Sequence, residues 1–328
     1  MKEKILDLIK SSGDEYISGQ YISEKLGVSR TAIWKYINAL KEDGYIIESI
    51  SKRGYKLLSS PDVLTFKEVK EYLHTKYIGN KIIHFHSIDS TNKKAKELAS
   101  LGEDNGTVII SEEQIGGKGR LGRSWISPKY KGIWLSIILT PDIEPLEVPK
   151  TTQIAAAAVC SALREMDVEG FIKWPNDIIV ESKKVCGILT EMSGELNRVN
   201  YVVVGIGINA NLDIDDFSED IKNTATSLKI QLNKNICRKT LTARVLNNFE
   251  ELYDDFLSKG DISKSLDICR KYSIVLDREV RIINRNEEYI AKAVDIDDQG
   301  RLIIENKDGN IYPIISGEIS IRGLNGYI

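Results

Sequence analysis

The chain has 328 residues, of which 42% are hydrophobic and 28% are charged. This composition is typical of a globular protein and excludes a disordered or collagen-like chain. The 45 basic and 48 acidic residues give a net charge of −3, which argues against a protein that binds polyanions over its whole surface. A chain of this length is expected to form two or three domains.

The sequence indicates neither a disulfide framework nor a zinc site, because its four cysteines lie far apart without metal-ligand spacing. Charged residues interrupt the apolar residues at the N-terminus, which excludes a signal-peptide core. The longest uncharged run, residues 199–212, is shorter than the roughly 18–20 residues that cross a bilayer. We therefore expect a cytoplasmic protein without membrane contact.

The N-terminal residues 1–60 carry a net charge of +2, opposite in sign to the rest of the chain. Apolar residues at helical spacing predict three short helices, of which the second covers residues 19–26 and the third is centred on residues 32–40. Ser29 is placed to cap the third helix, and Gly44 is placed to end it. This is the spacing of a helix-turn-helix.

A hairpin is predicted directly after these helices. Residues 45–50 and 55–58 have strand composition, and the turn between them is basic and contains glycine. The segment resembles the winged helix-turn-helix of bacterial transcription regulators, in which the third helix enters the major groove and the wing meets phosphates. A protein-docking module is the alternative. The candidate DNA-binding residues are Arg30, Thr31, Trp34 and Lys35 on the helix, and Lys52 and Arg53 in the wing.

Residues 59–61 read as a linker, and a larger segment with alternating strands and helices follows. Continuous apolar runs are typical of strands buried on both faces, and apolar stripes predict the helices. The predicted strands are residues 82–86, 107–112, 134–139 and 201–208, and the predicted helices are 91–100, 153–166 and 240–256. The last 50 or so residues contain short strands separated by turns, which predicts a small β-barrel.

The densest run of glycines and cations is GGKGRLGRSW at residues 116–125. It matches the G-x-G-x-x-G fingerprint of dinucleotide-binding proteins. That fingerprint requires a helix directly after it, and Pro128 and Gly132 disfavour a helix here. The GIGINA stretch at residues 205–210 fits a looser form of this fingerprint, but no convincing helix follows it either. The loop is therefore interpreted as a flexible segment whose backbone amides and cations suit a phosphate-bearing ligand. A solvated basic loop is the alternative.

Further motifs accompany this loop in a fixed order. They are Asp89-Ser90-Thr91-Asn92, Glu113-Gln114, the loop itself, Lys173-Trp174-Pro175-Asn176-Asp177 with Lys184 seven residues later, and GIGIN at residues 205–209. Together they resemble the catalytic core of the biotin protein ligases. With the winged helix in front and the small barrel behind, the full length resembles the bifunctional, BirA-type ligases that also repress the biotin operon.

The resemblance implies an α+β multidomain fold and a two-step reaction. The expected domains are a winged helix-turn-helix over residues 1–60, a class II synthetase-like core with a mixed sheet and helices over 65–272, and an SH3-like barrel over 273–328. Biotin and Mg·ATP would give biotinyl-5′-AMP and pyrophosphate. A lysine of a biotin carboxyl carrier protein would then displace AMP. The adenylate would also act as corepressor, by promoting a homodimer that binds operator DNA.

The resemblance also implies residue roles. Lys184 and Arg120 would be the catalytic cations of adenylation, because negative charge builds on the α-phosphate. Asp177 would orient or deprotonate the acceptor lysine, although Pro-Asn-Asp is also an ordinary turn. The implied ligand-binding residues are Ser90, Thr91, Asn92, Gln114, Gly117, Lys118, Gly119, Arg120, Arg123, Trp125, Lys173, Asn176, Lys184, Gly187, Gly205, Gly207 and Asn209.

Several alternatives stay open at this level. Ser90 and Thr91 also suit a helix cap. Lys118 stands where some relatives have arginine, which keeps the charge but loses the planar fork. Glu318 and Arg322 suit either ATP or acceptor contacts or a strand-edge ion pair. The ligands of the metal cannot be identified, since Mg²⁺ binds largely through water and substrate phosphates.

Two other functions compete with the ligase interpretation. A biotin sensor with an inactive core would not need the full set of cations. A lipoate ligase has a similar core design, but the loop at residues 116–125, the winged helix and the C-terminal barrel favour biotin.

Overall fold

The computed structural model describes residues 1–42, 44–283, 287–315, 320–323 and 327. These residues form two compact units, one ending at Asp62 and one beginning at Val63. Glu318 lies outside the described residues.

The first unit has the predicted helices and hairpin. Its elements are α1 (Lys2–Ser11), α2 (Gly19–Leu26), α3 (Arg30–Glu42), β1 (Ile46–Ile50) and β2 (Gly54–Ser59), and the two strands pair antiparallel. The N–H of Ala32 donates to Ser29 Oγ at 3.2 Å, so Ser29 caps α3 as predicted. Gly44 has a φ of +94°, which glycine adopts without a steric penalty.

The helices of this unit enclose a core of their own. The buried residues are Ile5, Leu6, Ile9, Ile17, Ile22, Ile33, Ile37, Leu40, Tyr45 and Ile47. Because α3 commits its Ile33 and Ile37 face to this core, its opposite face is left at the surface.

The second unit is built on a seven-stranded mixed sheet in the order β3-β4-β5-β9-β8-β7-β6, in which β3 and β4 are parallel and the other pairs are antiparallel. The strands are β3 (Ile82–Phe85), β4 (Val108–Ser111), β5 (Ile133–Leu139), β6 (Phe171–Lys173), β7 (Asp177–Val180), β8 (Lys183–Glu195) and β9 (Arg198–Ile208). The helices are α4 (Phe66–Val69), α5 (Thr91–Ser100), α6 (Val148–Arg164), α7 (Leu228–Leu232), α8 (Arg238–Lys259) and α9 (Ser263–Lys271).

Helices cover both faces of the middle of this sheet. Ala95 on α5 packs with Ile138 of β5 in one buried cluster, whereas Ile137 belongs to the main core together with α6 and α8. Every residue of β5 is buried as a result. This explains why the strand is a continuous apolar run without alternation.

The structure differs from the sequence predictions at several places in this unit, and some of its elements, such as α9 and β7, were not predicted at all. Helix α6 begins at Val148, five residues before the predicted start, because Pro149 occupies its first turn, where a missing N–H costs nothing. Strand β8 was not predicted, since its lysines and glycines interrupt the apolar alternation.

The C-terminal strands form a separate antiparallel sheet in the order β13-β12-β11-β10-β14. They are β10 (Glu279–Ile283), β11 (Glu288–Ile296), β12 (Leu302–Glu305), β13 (Ile311–Ile314) and β14 (Ser320–Arg322). This sheet is joined to the central sheet, because Trp174 Nε1 donates to the carbonyl of Gly300 at 2.9 Å. The contact holds the C-terminal sheet beside the hairpin formed by β6 and β7.

The four cysteines are free thiols. Among the described residues, no helix combines the length and apolarity that a membrane crossing requires.

Candidate active site

A cavity of about 620 Å³ opens in the second unit, within the range of small-molecule sites. The ends of the central strands and helix α5 line it, together with residues of the C-terminal sheet. It brings together all the residues predicted to bind ligand except Gly117, and it also contains Asp177. Gly117 does not line the cavity, and a Cβ there would lie 2.6 Å from the carbonyl oxygen of Trp125.

Polar side chains at the start of α5 are linked to the segment after β4. Ser90 Oγ accepts from the N–H of Lys93 at 3.4 Å, so the capping role weighed for Ser90 is present. Gln114 Oε1 accepts from the N–H of Thr91 at 2.8 Å, and Gln114 Nε2 donates to Ser127 Oγ at 3.0 Å. These bonds fix the Gln114 amide before any ligand arrives.

Ser136 fixes the position of Thr91 and Asn92 by hydrogen bonds. It is fully buried on β5, and its hydroxyl donates to Asn92 Oδ1 at 2.6 Å and lies 2.8 Å from Thr91 Oγ1. The Asn92 amide donates to the carbonyl of Leu189 at 3.2 Å and to Glu191 at 2.9 Å. Asn92 is therefore held at every polar atom, and its orientation is set by β5 and β8.

Three glycines of β8 and β9, which we call the glycine floor, make room for these side chains. A Cβ at Gly205 would lie 2.1 Å from Asn92 Oδ1, and a Cβ at Gly207 would lie 2.6 Å from Trp125 Nε1. At Gly187 it would meet the Trp125 ring at 3.0 Å. Real Cβ atoms do not approach this closely at the first two positions, so only glycine fits there without a shift. Trp125 Nε1 is buried without a hydrogen-bond partner.

Residues 116–125, which we call the cation loop, form no regular helix beyond a short 3₁₀ turn at Arg120–Gly122. Gly205 and Gly207 lie within β9, so neither glycine pattern opens a dinucleotide-binding helix, as predicted. The loop cations differ in position. Arg120 is half-buried and donates to Asn176 Oδ1 at 3.0 Å, whereas Lys118 and Arg123 are exposed at the rim.

Charged side chains gather at the opposite end of the cavity. Lys184 Nζ lies 2.5 Å from Asp177 Oδ1 and 5.1 Å from the centre of the Trp125 ring. Burial raises the pKa of Asp177, but Lys184 and then Tyr327 outweigh burial and hold this pKa below its usual range. Lys173 is 3% exposed, and burial lowers its pKa to about 7. This end of the cavity is suited to polyanionic phosphate.

Three polar residues of the site, Ser127, Ser136 and Tyr327, were not predicted from the sequence. The two serines have apolar neighbours in the sequence. A serine in such a stretch is typical of a core strand or a loop and does not indicate a ligand site. Tyr327 has no motif around it, yet its hydroxyl donates to Asp177 Oδ2 and its carbonyl accepts from Lys173 Nζ at 2.6 Å. Arg322, left open by the sequence, lies with its guanidinium 4.6 Å from the Tyr327 ring centre and lines the cavity.

The described residues contain no group of three or more His, Cys, Asp or Glu side chains placed to hold a metal ion. Two aspartates of the described part of the chain line the cavity. Asp177 is already paired with Lys184, and Asp220 lies on a different segment. These side chains do not fit a magnesium site built by the protein alone.

The candidate DNA-binding residues of the first unit lie at the surface. All six are exposed, and Trp34 is 58% exposed although tryptophan is usually covered. Lys52 and Arg53 lie between β1 and β2, and the Arg53 guanidinium is 4.7 Å from the ring centre of Tyr16. A basic wing tip and one exposed helix face are therefore both available.

Comparison with known proteins places these two units in a family. Residues 2–56 match the model "HTH domain", residues 84–209 match "Biotin/lipoate A/B protein ligase family", and residues 275–322 match "Biotin protein ligase C terminal domain". The sequence is 38% identical to the bifunctional ligase/repressor BirA of Bacillus spizizenii over 98% of both chains, and 30% identical to that of Escherichia coli over 94% of both.

A solved structure agrees with the sequence comparisons. The biotin protein ligase of Aquifex aeolicus, in complex with biotin and ATP, aligns with a TM-score of 0.65 and 30% identity over 74% of this chain and 99% of that chain. The chain therefore belongs to the BirA family of bifunctional biotin ligases and repressors.

Proposed function

We propose that this chain joins biotin to ATP, forming biotinyl-5′-AMP and pyrophosphate, and then transfers biotin to a lysine of a biotin carboxyl carrier protein. The observation that carries the proposal is a cavity that combines a fixed set of polar groups at one end with a cluster of cations at the other. Full-length similarity to bifunctional ligase/repressors supports both activities.

In the first step, a biotin carboxylate oxygen attacks the α-phosphorus and the bond to pyrophosphate breaks. Gln114, Thr91 and Asn92 would orient the ureido group, since these polar atoms are already fixed by Ser127 and Ser136. Lys184 and Arg120 would stabilise the charge that develops on the phosphate oxygens. Lys118, Arg123 and Lys173 would hold the phosphates, and Trp125, Asn176 and Asn209 would lie near the adenylate.

In the second step, the lysine amine of the carrier attacks the carbonyl carbon of the adenylate and AMP leaves. The amine must lose its proton before it can act as a nucleophile. Because its neighbours lower the pKa of Asp177, this carboxylate is a weak base. Its pairing with Lys184 favours a role in orienting the acceptor amine.

The winged helix would give the same chain its repressor activity. We propose that bound biotinyl-5′-AMP is the corepressor and that the adenylate-bound form is a homodimer on a two-fold operator. While unmodified carrier is present, the adenylate is consumed. When the carrier is saturated, the adenylate persists and the biotin genes are repressed.

Some finer features belong to this proposal as well. We infer an SH3-like closure for the C-terminal strands, a class II synthetase-like design for the core, and domain boundaries at residues 60, 65 and 272. Mg²⁺ would arrive with ATP. The free cysteines suit the reducing cytoplasm.

The ligase proposal is tested by biotin transfer to purified carrier domain, with lipoate as competitor. Biotin transfer that excess lipoate leaves unchanged is expected. Inhibition by lipoate, or lipoate transfer, would favour the lipoate ligase.

The repressor proposal is tested by titrating DNA from the chain's own biotin-gene promoters, at fixed salt, with and without biotin plus Mg·ATP. The two ligands should tighten binding of the wild type. Lys184→Ala should show no tightening with biotin plus ATP, but should respond to preformed adenylate. Equal, weak binding in every case would leave a ligase whose winged helix serves another purpose.

A further inference from the structure

We propose that Tyr327 is a positioning residue for the transfer step, which holds the Asp177 carboxylate toward the acceptor amine through its phenol hydroxyl. The inference rests on the role proposed above for Asp177. It concerns the end of the chain, where the sequence carries no recognisable motif.

Two basic side chains lie against the Tyr327 ring. Lys173 Nζ lies 3.3 Å from the ring centre, and the Arg322 guanidinium carbon lies 4.6 Å from it. Cations over an aromatic face are attracted by the negative charge of the ring, and more strongly where water is excluded. Lys173 also donates to the Tyr327 carbonyl at 2.6 Å. Ring and backbone are therefore both fixed.

The hydroxyl of this fixed ring reaches the reacting end of the cavity. It donates to Asp177 Oδ2, while Lys184 pairs with Oδ1 of the same carboxylate. The two oxygens thus have different partners, one on β8 and one from the C-terminus. With both contacts present the carboxylate cannot rotate freely about its last torsion. With Lys184 alone it could turn, because a single ammonium contact sets no plane.

Asp177 lies at the part of the central sheet that contacts the C-terminal sheet. Asp177 opens β7 at the end of the β6–β7 hairpin, and the C-terminal sheet is joined to this hairpin through Trp174. Tyr327 follows β14 of that sheet. Tyr327 thereby adds a polar contact to the active site, and Arg281 and Arg322 of the C-terminal sheet supply part of the cavity wall.

The test uses the full-length protein and separates the two half-reactions. Tyr327→Phe keeps the ring beside Lys173 and Arg322 and removes the hydroxyl. Tyr312→Phe removes a hydroxyl from β13 of the C-terminal sheet, which does not line the cavity, and is the matched control. Adenylation is measured by pyrophosphate exchange, and transfer is measured by single turnover from preformed adenylate to carrier domain.

Tyr327→Phe should slow transfer about tenfold at saturating carrier, which is the effect of removing one hydrogen bond to a charged group. The KM for carrier and the melting temperature should stay close to the wild type, and Tyr312→Phe should change neither half-reaction. A residue that only supported the fold would instead lower the melting temperature and slow both half-reactions together.

A double-mutant cycle then asks whether Tyr327 acts through Asp177. In an Asp177→Asn background, Tyr327→Phe should have no further effect on transfer. A full tenfold loss in that background would overturn the proposal. Fast transfer by Asp177→Asn alone would remove the role assigned to Asp177, and the role of Tyr327 with it. Slow transfer by Asp177→Asn with normal transfer by Tyr327→Phe would overturn the role of Tyr327 alone.

Discussion

Lys184 is the residue whose removal tests the adenylation chemistry most directly. Its ammonium faces the cavity between Asp177 and Trp125. Lys184→Ala should lower the rate of ATP–pyrophosphate exchange by about 10²-fold or more, since it removes a cation aimed at developing phosphate charge.

Lys183→Ala provides a matched control for that variant. Lys183 is the adjacent residue on the same strand, but its ammonium donates to the carbonyl of Lys222 and does not line the cavity. Lys183→Ala should leave the rate of ATP–pyrophosphate exchange within a factor of about two of the wild-type rate. Exchange by Lys184→Ala at the rate of Lys183→Ala would contradict the assigned role.

Lys173 gives the site a dependence on pH. Because burial lowers its pKa to about 7, the side chain is charged below that pH and loses its proton as the pH rises above it. A bound triphosphate favours the charged form. ATP binding at pH 8 should therefore take up about one proton more than in a Lys173→Arg variant, since arginine stays charged.

Calorimetry in two buffers of different ionisation enthalpy measures this proton uptake. The difference between the wild type and Lys173→Arg should shrink at pH 6, where the wild-type lysine is already protonated. Identical uptake by both proteins at pH 8 would show that Lys173 is charged before ATP binds.

At the scale of single elements, the wing is expected to act by charge alone. Lys52 and Arg53 are exposed at its tip. The Lys52→Ala, Arg53→Ala double variant should bind operator DNA more weakly. Its slope of log K against log salt should flatten by about 0.9 for each phosphate that the wing no longer neutralises.

Lys4→Ala removes one charge from α1 of the same unit and serves as the control for the wing variant. It should leave the salt slope unchanged, and pyrophosphate exchange should stay normal in both proteins. If the double variant had the same salt slope as the wild type, the wing would not bind phosphates.

The elements differ in how far the sequence could predict them. The helices of the first unit and the apolar strands of the central sheet were predicted because each buries a regular face or a continuous run. The start of α6 was placed too late, since the sequence does not show that Pro149 begins a helix. Strand β8 was missed because the residues that serve the cavity, such as Lys184 and Gly187, interrupt its apolar pattern.

The site residues divide in a similar way into those that the sequence revealed and those that it did not. Lys184, Gln114 and Asn92 were identified through a family resemblance, and the structure gathers them in one cavity. Ser136 carries no signal of its own, because a serine inside an apolar run reads as part of a core strand. Tyr327 is 150 residues from its partner Asp177, and no local pattern encodes so distant an interaction.

At the scale of the whole molecule, the two units enclose separate hydrophobic cores. Calorimetry of the full chain should therefore show two unfolding transitions. Biotin plus Mg·ATP should raise the transition of the larger unit alone. At about 100 times Kd the ligand stabilises by about 2.7 kcal/mol, which moves the Tm of a unit this size by roughly 5 °C. If calorimetry shows a single transition whose Tm rises with biotin plus Mg·ATP, the two units unfold together.

The glycine floor has a consequence for how such a protein can evolve. Gly205 and Gly207 face Asn92 and Trp125 so closely that any larger residue displaces a side chain of the site. In the cation loop, by contrast, a Cβ at Gly119 would lie 3.8 Å from its nearest neighbour. Mutation can therefore explore the position of Gly119 while the floor stays fixed. Gly116 and Gly117 of the same loop are fixed as well, because a Cβ there would lie 2.0 Å and 2.6 Å from its nearest neighbour. A lineage that acquires a new carboxylic acid substrate should therefore vary at the position of Gly119 and keep both glycines of β9.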